Sequence, residues 1–94
     1  MTANVKHVHE RFFINTNSDD AELLYTLDEK RKIMSIYHTF VPETERGKGL
    51  AEILAIKAFD FAKEKGFLIR PDCDYIKHFI TKHKELEKMI TYEK

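Results

Sequence analysis

A basic, glycine-containing hexapeptide is the segment of this sequence whose residue types and spacing most clearly suggest chemistry. It reads Arg46-Gly47-Lys48-Gly49-Leu50-Ala51 and follows a β-rich run that stops at Pro42. Glycine lets the main chain approach an anion without a Cβ in the way, and Arg46 and Lys48 add positive charge. If the turn opens a helix, the unpaired N–H groups of the first helical turn point at the same place. The segment therefore predicts a pyrophosphate site.

Three other interpretations of this turn compete with that one. A Gly-Lys-Gly segment can be a flexible connection that binds nothing. A Walker loop needs a glycine five residues before Gly47 and a Ser or Thr after Lys48, but Pro42 and Gly49 stand there. A dinucleotide fingerprint starting at Gly47 needs a small residue at position 52, where Glu52 would bring a carboxylate near the phosphates. The Walker and dinucleotide interpretations therefore fail, and the flexible connection stays open.

Three strands of an antiparallel meander are predicted before the turn. Residues 10–15 are short, aromatic and β-rich, and residues 21–27 alternate between apolar and polar positions. Residues 33–41 form the longest β-like run, which Pro42 ends because proline has no backbone donor. Polar or charged reversals separate the three segments.

Helical periodicity replaces the strand pattern after Gly49. A helix is predicted from Leu50 to Gly66, where glycine can take the left-handed conformation that closes it. A brief strand at 67–70 is ended by Pro71, and a shorter helix is predicted over 75–82. The tail, 85–94, is predicted to be a docked helix. The apolar anchors expected in these last two segments are Ile76, Phe79, Ile80, Leu86, Met89 and Ile90.

The composition is that of one ordinary globular domain spanning residues 1–94. Apolar residues make up 43% of the chain, enough to form one hydrophobic core. Sixteen basic and sixteen acidic side chains cancel, so no overall field draws the chain to nucleic acid or to an anionic membrane. The uniformly polar surface outside the core pattern predicts a monomer.

A cytoplasmic location is the expectation from the single cysteine and from the N-terminal residues. One cysteine cannot form an internal disulfide, and the first seven residues contain no apolar stretch resembling a signal peptide. No apolar run approaches the roughly 20 residues that cross a bilayer, so no membrane role is expected.

The residues around the turn resemble those of the GNAT acetyltransferase superfamily. The pattern Arg-x-x-Gly-x-Ala is met by Arg46, Gly49 and Ala51, directly after the strand that ends in Val41-Pro42. This resemblance implies that acetyl-CoA or CoA is the cosubstrate. It also implies that the strand end at Phe40 and Val41 pairs with the pantetheine arm. The residues implied to hold the CoA pyrophosphate are Arg46, Gly47, Lys48, Gly49, Leu50 and Ala51.

The whole segment is similar to the small, single-domain GNAT-like proteins, over about residues 10–85. The features that carry this similarity are a His-Thr pair in the strand, at His38 and Thr39, and a Pro-x-Cys segment ending at Cys73. The fold implied is α+β: a mostly antiparallel sheet with a bulged or splayed central strand, a cofactor helix and a short second helix. The chain departs from larger members in lacking the length for their C-terminal strand pair and for the helices that wall the acceptor site. An open acceptor site is therefore expected.

Cys73 and Tyr75 are the candidate catalytic residues in the segment that follows the brief strand at 67–70. The resemblance suggests that Cys73 lies near the acetyl group, as a transient acyl acceptor or as a proton donor. Its alternative is an inert, partly buried thiol. Tyr75 is a candidate proton donor to the CoA thiolate, or else an aromatic that packs in the core or against CoA.

His38 is the candidate general base for deprotonating an amine. Strand periodicity places it on the face shared by Met34, Ile36 and Phe40, directed at packed side chains or into the cleft. It is either a structural histidine or a base, because imidazole titrates near neutrality. Glu43 and Glu45 are alternative bases.

No metal site and no nucleic-acid site are expected. His7 and His9 share a face only if that segment is extended, and His78 and His83 diverge on a helix, so no ligand cluster forms. The phenylalanines fit a core better than a base-stacking platform, because no basic patch accompanies them.

The sequence therefore predicts an acetyl-CoA-dependent N-acetyltransferase with an amine acceptor. A small amine, a polyamine, a peptide N-terminus and a protein lysine all remain open as acceptors. Two other functions also remain open: an acyl-CoA-binding module without catalysis, and a small adaptor that recruits another protein and has no affinity for CoA.

Overall fold

The computed structural model describes residues 4–93. The expectations for Met1 to Ala3 and for Lys94, the last residue of the tail, lie outside this part. Five strands form one sheet in the order in which they occur along the chain, β1-β2-β3-β4-β5. Their bounds are Lys6–Val8, Arg11–Ile14, Ala21–Asp28, Ile33–Phe40 and Leu68–Pro71.

The sheet is antiparallel except at its last pair of strands. β2 to β4 form the predicted three-stranded meander and β1 adds a fourth antiparallel strand, whereas β5 runs parallel to β4. A parallel neighbour requires a crossover connection, and helix α1, Leu50–Lys65, provides it. α1 ends at Gly66 in the left-handed conformation, as predicted. A second helix, α2, spans Asp74–Lys82, and short 3-10 turns occupy Glu43–Glu45 and Lys84–Met89.

One face of the sheet carries the hydrophobic core, and both helices pack on it. Ala21, Leu23 and Tyr25 of β3 are buried, whereas Glu22 and Leu24, which alternate with them, stay partly accessible. Period-two alternation explains this difference, because successive side chains of a strand point to opposite faces. The rings of Phe59 on α1 and Phe79 on α2 meet 5.4 Å apart over the covered face. The mostly antiparallel α+β architecture confirms the predicted fold class.

A bulge in β4 corrects the predicted position of His38. The register pairs Tyr25 with Ile36 but Leu24 with His38, so Tyr37 is an extra residue on β4. One inserted residue moves every later side chain to the other face. His38 therefore lies on the helix-free face with Phe40, not on the core face of Ile36. The residue is exposed rather than directed at packed side chains.

Two further differences lie at the ends of the described chain. β1 was not predicted, because all three of its residues are exposed and it lacks an apolar alternation. The tail is not an α-helix: after the 3-10 turn it becomes extended, and the Thr91 N–H donates to the Ile69 carbonyl of β5 at 2.9 Å. The predicted anchors Leu86, Met89 and Ile90 do pack against the core.

Neither α1 nor α2 combines the length and apolarity needed to cross a bilayer, and this statement covers residues 4–93.

Candidate active site

The sheet opens into a wedge where β4 and β5 part. Their pairing runs from Ile33 with Leu68 to Ile36 with Pro71, and the Asp72 N–H adds a bond to the Ile36 carbonyl at 2.9 Å. β4 then continues to Phe40 with β3 as its paired neighbour, while the segment after β5 turns away into α2. The backbone of β4 beyond the bulge is thus left with one open edge.

A cleft of about 410 Å³ occupies this wedge. Its size falls within the range of small-molecule sites in proteins. The wall combines the end of β4, the glycine turn, the start of α1 and one residue of α2. The lining residues are Thr39, Phe40, Val41, Arg46, Gly47, Gly49, Leu50, Ala51, Glu52 and Tyr75.

The glycine turn forms one end of the cleft. Gly47 and Gly49 both have left-handed backbones, with φ of 86° and 76°, a region that side chains disfavour. A Cβ on either glycine would meet no atom within 4 Å, so their surroundings leave open space there. Gly49 is the N-cap of α1 and accepts the Ile53 N–H at 3.1 Å through its carbonyl oxygen. The N–H groups of the first helical turn precede the hydrogen-bonded ladder and are available to an anion.

Arg46 and Lys48 already have partners within the turn. The Arg46 Nε donates to the Val41 carbonyl at 3.1 Å, which ties the turn to the end of β4. The Lys48 ammonium lies 2.9 Å from a Glu45 carboxylate oxygen. Lys48 does not line the cleft, whereas Arg46 does. Both side chains are solvent-accessible, so both can reorient toward an anion.

Cys73 lies behind the opposite end of the cleft wall. It is the N-cap of α2, and its thiol donates to the Thr39 hydroxyl at 3.4 Å. Thr39 lines the cleft. Cys73 does not line it but lies directly behind Thr39 and is partly buried. This contact joins the end of β4 to the start of α2, the two segments that separate at the wedge.

Tyr75 lines the α2 side of the cleft. Burial, and secondarily the Glu52 carboxylate, raises the pKa of Tyr75 above its usual range. The phenol is therefore protonated at neutral pH and able to donate a proton. Its ring packs against that of Phe79, with centroids 6.2 Å apart, which fixes its direction.

His38 is on the other side of β4 from these groups. Its neighbour in sequence, Thr39, pairs with Leu23 on the core face, whereas His38 pairs with Leu24 on the helix-free face. The His38 Nε2 lies 3.6 Å from a Glu22 carboxylate oxygen. The alternative bases Glu43 and Glu45 lie in the 3-10 turn that precedes the glycines. The structure thus separates His38 from Cys73 and Tyr75 by the thickness of one strand.

Two cleft residues were not assigned a role from the sequence. Thr39 lies between His38 and Phe40, which were both assigned roles, and strand alternation could have placed it on the face opposite to them. Glu52 lies in the first turn of α1, and its carboxylate is 3.3 Å from the His83 Nε2. No sequence signal joins positions 52 and 83, because only the packing of α1 against the end of α2 brings them together.

A metal site is absent from the part of the chain that the structure describes: no three His, Cys, Asp or Glu side chains there are grouped to hold an ion. That absence stays an expectation for the whole chain.

Comparison with known sequences identifies relatives over most of the chain. Residues 11–89 match the family model described as GCN5-related N-acetyltransferase. Bovine protein NATD1 is 40% identical over 67 residues, which cover 71% of this chain and 58% of that protein. Murine protein NATD1 is 38% identical over 80 residues, covering 81% of this chain and 72% of that protein. The chain thus spans little more than half the length of its bovine relative.

Comparison with solved structures gives the same architecture. A GCN5-like protein from Staphylococcus aureus, determined by NMR in solution, superimposes with a TM-score of 0.76. The match covers 98% of this chain and 91% of that one, at 22% identity. At that identity the likeness establishes a shared fold.

Proposed function

Because this chain belongs to the GCN5-related N-acetyltransferase family, we propose that it transfers the acetyl group of acetyl-CoA to an amine. One observation carries the proposal: the open edge of β4 and the glycine turn line one continuous cleft in the wedge between β4 and β5. A cofactor with an anionic end and an extended arm fits that arrangement. Because the overall charge is neutral, an anion site in this chain has to be local.

In the proposed complex, the CoA pyrophosphate binds the N–H groups of the turn and of the first turn of α1. The positive end of the helix dipole favours that charge. Arg46 and Lys48 exchange their present partners for phosphate oxygens. The pantetheine arm follows the open edge of β4 past Phe40 and Val41, where its amides replace the missing strand. The thioester then reaches Thr39, near Cys73 and Tyr75.

The reaction needs a neutral amine and a proton for the leaving thiolate. The acceptor approaches the wedge from the helix-free face, where His38 takes a proton from its ammonium group. The amine nitrogen then reaches through the wedge and forms a bond to the thioester carbonyl carbon. The carbon–sulfur bond then breaks, and the electron pair leaves with the CoA sulfur. Tyr75 donates the proton that converts the thiolate to a thiol, and its phenolate takes up the second proton that the amine nitrogen loses as the amide forms. The products are an acetamide and CoA, and the proton on His38 returns to solvent.

Cys73 contacts the acetyl group in one of two roles. As an acyl acceptor, its thiolate displaces CoA to form an acetyl-cysteine, which the amine then attacks. As a proton donor, it protonates the CoA thiolate in place of Tyr75. Intact-mass spectrometry after incubation with acetyl-CoA distinguishes the two, because a covalent acetyl group on wild type that is absent from Cys73→Ala identifies the first.

The acceptor site is proposed to be open to large substrates. Among residues 4–93, the elements that border the wedge are β4, the glycine turn, α1, β5 and α2, and they leave its helix-free side uncovered. A peptide or protein amine can approach from that side, and a small amine fits as well.

The first experiment is calorimetric titration of acetyl-CoA into wild type, Gly49→Glu and Gly66→Glu. Gly49 and Gly66 have nearly the same left-handed φ, 76° and 77°, and a Cβ at either meets nothing within 4 Å. The two variants therefore carry the same charge change and similar backbone strain, but only Gly49 lines the cleft. We expect wild type and Gly66→Glu to bind with Kd values in the micromolar range, and Gly49→Glu to lose at least about tenfold in affinity.

Equal affinity of the two glycine variants would contradict the proposed pyrophosphate position. No binding by folded wild type would contradict the cofactor itself and favour the adaptor function. Binding of acetyl-CoA without transfer to any amine in a broad acceptor screen would leave a CoA-binding module.

A further inference from the structure

A chain of charged side chains crosses the helix-free face of the sheet and ends at His38. The Arg11 guanidinium on β2 donates through Nε to one Glu22 carboxylate oxygen at 2.8 Å. The other Glu22 oxygen lies 3.6 Å from the His38 Nε2. Glu22, on β3, thus stands between a permanent cation and an imidazole, with one oxygen toward each.

The strand register brings these three side chains together. Arg11 pairs with Leu24, and Leu24 pairs with His38, so Arg11 and His38 lie in one cross-strand row. Glu22 lies in the next row, two residues along β3 on the same face. The bulge at Tyr37 is what turns His38 to this side.

The Glu22 carboxylate is held more firmly than an ordinary surface acid. Its side chain is only 24% exposed, against 46% for His38. The guanidinium that fixes it lies 4.1 Å from the centre of the Phe13 ring and also pairs with Asp20 at 3.1 Å. Because Arg11 is anchored by these contacts, Glu22 has a defined direction before any ligand binds.

We propose that Glu22 is a positioning residue that holds His38 in the tautomer required for accepting the acceptor's proton. The inference rests on the proposed function, in which His38 is the base. A carboxylate facing Nε2 favours the tautomer with its proton on Nε2, which leaves the lone pair of Nδ1 free. The distance of 3.6 Å closes to a hydrogen bond with a small ring rotation, as catalytic contacts often tighten on substrate binding.

The proton balance of the step is simple. The acceptor ammonium gives its proton to Nδ1, and the imidazole becomes an imidazolium that keeps its Nε2 proton directed at Glu22. The carboxylate stabilises this positive charge and stays ionised throughout. After transfer, Nδ1 returns the proton to solvent, to which the exposed ring has direct access.

The test combines four variants, Glu22→Gln, His38→Gln, the double variant and Asp19→Asn, assayed with the best amine from the acceptor screen. Asp19→Asn is the matched control, because it removes an exposed carboxylate from the turn before β3 that pairs with neither Arg11 nor His38. We expect Glu22→Gln to lower kcat about tenfold, with the KM for acetyl-CoA unchanged. In the His38→Gln background the same substitution should have no further effect, because a residue that acts through His38 has nothing left to act on. Asp19→Asn should keep kcat within about twofold of wild type.

A second readout does not depend on turnover. Long-range ¹H–¹⁵N spectra of the apo protein, with the His38 signals identified by their loss in His38→Gln, should show the Nε2–H tautomer in wild type. In Glu22→Gln the signals should move toward a mixture of tautomers.

The outcomes separate the two proposals. An equal fall of kcat in both backgrounds, or unchanged tautomer signals in Glu22→Gln, would overturn the role of Glu22. A wild type without acetyl transfer, or a His38→Gln variant with full kcat, would overturn His38 as the base, and the tautomer spectra would still decide whether Glu22 orients the ring.

Discussion

Glu52 is the residue of the cleft whose charge opposes its proposed ligand. It lines the cleft beside the glycine turn, in the first turn of α1, where an acidic side chain stabilises the helix. The same position lies close to the site proposed for the CoA pyrophosphate. The contact of 3.3 Å with the His83 Nε2 directs the carboxylate toward the end of α2. Glu52 therefore stabilises the N-terminal end of α1 itself and repels an anion that binds there.

Glu52→Gln should bind acetyl-CoA about three- to fivefold more tightly than wild type, because removing one exposed like charge is worth less than about 1 kcal/mol. The gain should shrink at high salt, where charges are screened. Calorimetric titration at two salt concentrations measures both effects. Asp60→Asn, which removes an exposed carboxylate farther along the same helix, should leave the affinity unchanged. The same gain in both variants would mean that only net charge matters.

Local residue chemistry explains which parts of the site could be inferred from the sequence. Gly47, Gly49 and Gly66 take the left-handed backbone that few other residues tolerate, so their positions carry structural information by themselves. The contacts of Glu22 with His38 and of Glu52 with His83 join residues 16 and 31 positions apart. No local pattern encodes such pairs. The roles of Cys73, His38 and Tyr75 stay predictions.

His7 is the side chain of β1 that packs against the aromatic residues of the sheet and of α1. All three of its residues are exposed, but the His7 ring stacks on Phe12 with centroids 3.9 Å apart and meets the edge of Phe61 at 4.8 Å. The His7 Nε2 lies 2.6 Å from the Tyr25 hydroxyl. Partial burial in this aromatic group lowers the pKa of His7 below its usual value of 6.5. The neutral ring therefore pins the strand to the sheet.

The stability provided by His7 should be lost in acid. The unfolded chain takes up the proton near pH 6.5, whereas the folded chain resists it to a lower pH, so this contribution is complete above 6.5 and disappears below it. The loss should stay below about 1.4 kcal/mol, the value of one pKa unit, because His7 is largely solvent-accessible. The free energy of unfolding is measured by denaturant titration of wild type and His7→Phe at about pH 8 and about pH 5. The difference between the two proteins separates the contribution of His7 from that of the other titrating groups.

His7→Phe should lose less stability than wild type between the two pH values, by the amount assigned to His7. Identical pH dependence in the two proteins would show that β1 is held by other contacts.

The elements with a strong period were predicted within a residue or two, including β3, β4 and both helices. Their patterns are dictated by one buried face, which sequence periodicity reports directly. β1 has no such face. A bulged or splayed central strand was expected from the family resemblance, but a bulge at Tyr37 of β4 was not. The position of the bulge determines which face of the sheet His38 occupies. Because that position could not be read from the sequence, His38 was predicted on the wrong face.

A single core layer under the helices supports the whole molecule. Ile69 of β5 is fully buried between β4 and the tail, whereas its neighbour Leu68 is 42% exposed. Domains of this size have roughly 5–15 kcal/mol of total stability, so one lost core contact is a large fraction of it. The fold class that the family resemblance implied is confirmed, as is the resemblance itself. A single domain and a monomeric state stay predictions.

Ile69→Ala should lower the free energy of unfolding by about 2–5 kcal/mol, because it removes buried methylenes and leaves a cavity. Leu68→Ala is the control on the same strand and should cost less than about 1 kcal/mol, since its side chain is already partly in water. Denaturant titration followed by circular dichroism measures both. Similar losses for the two variants would indicate that the core does not depend on the covered face of β5.

The extra residue in β4 also affects how the sequence of this protein can evolve. Two consecutive positions, His38 and Thr39, face opposite sides of one strand, toward the open surface and toward the cleft respectively. Substitutions on the open surface, at Phe13 or Leu24, alter the neighbourhood of His38 while the glycine turn keeps its geometry. If the proposed function holds, selection for a new acceptor amine can therefore act on one side of a single strand while the cofactor site on the other side is inherited unchanged.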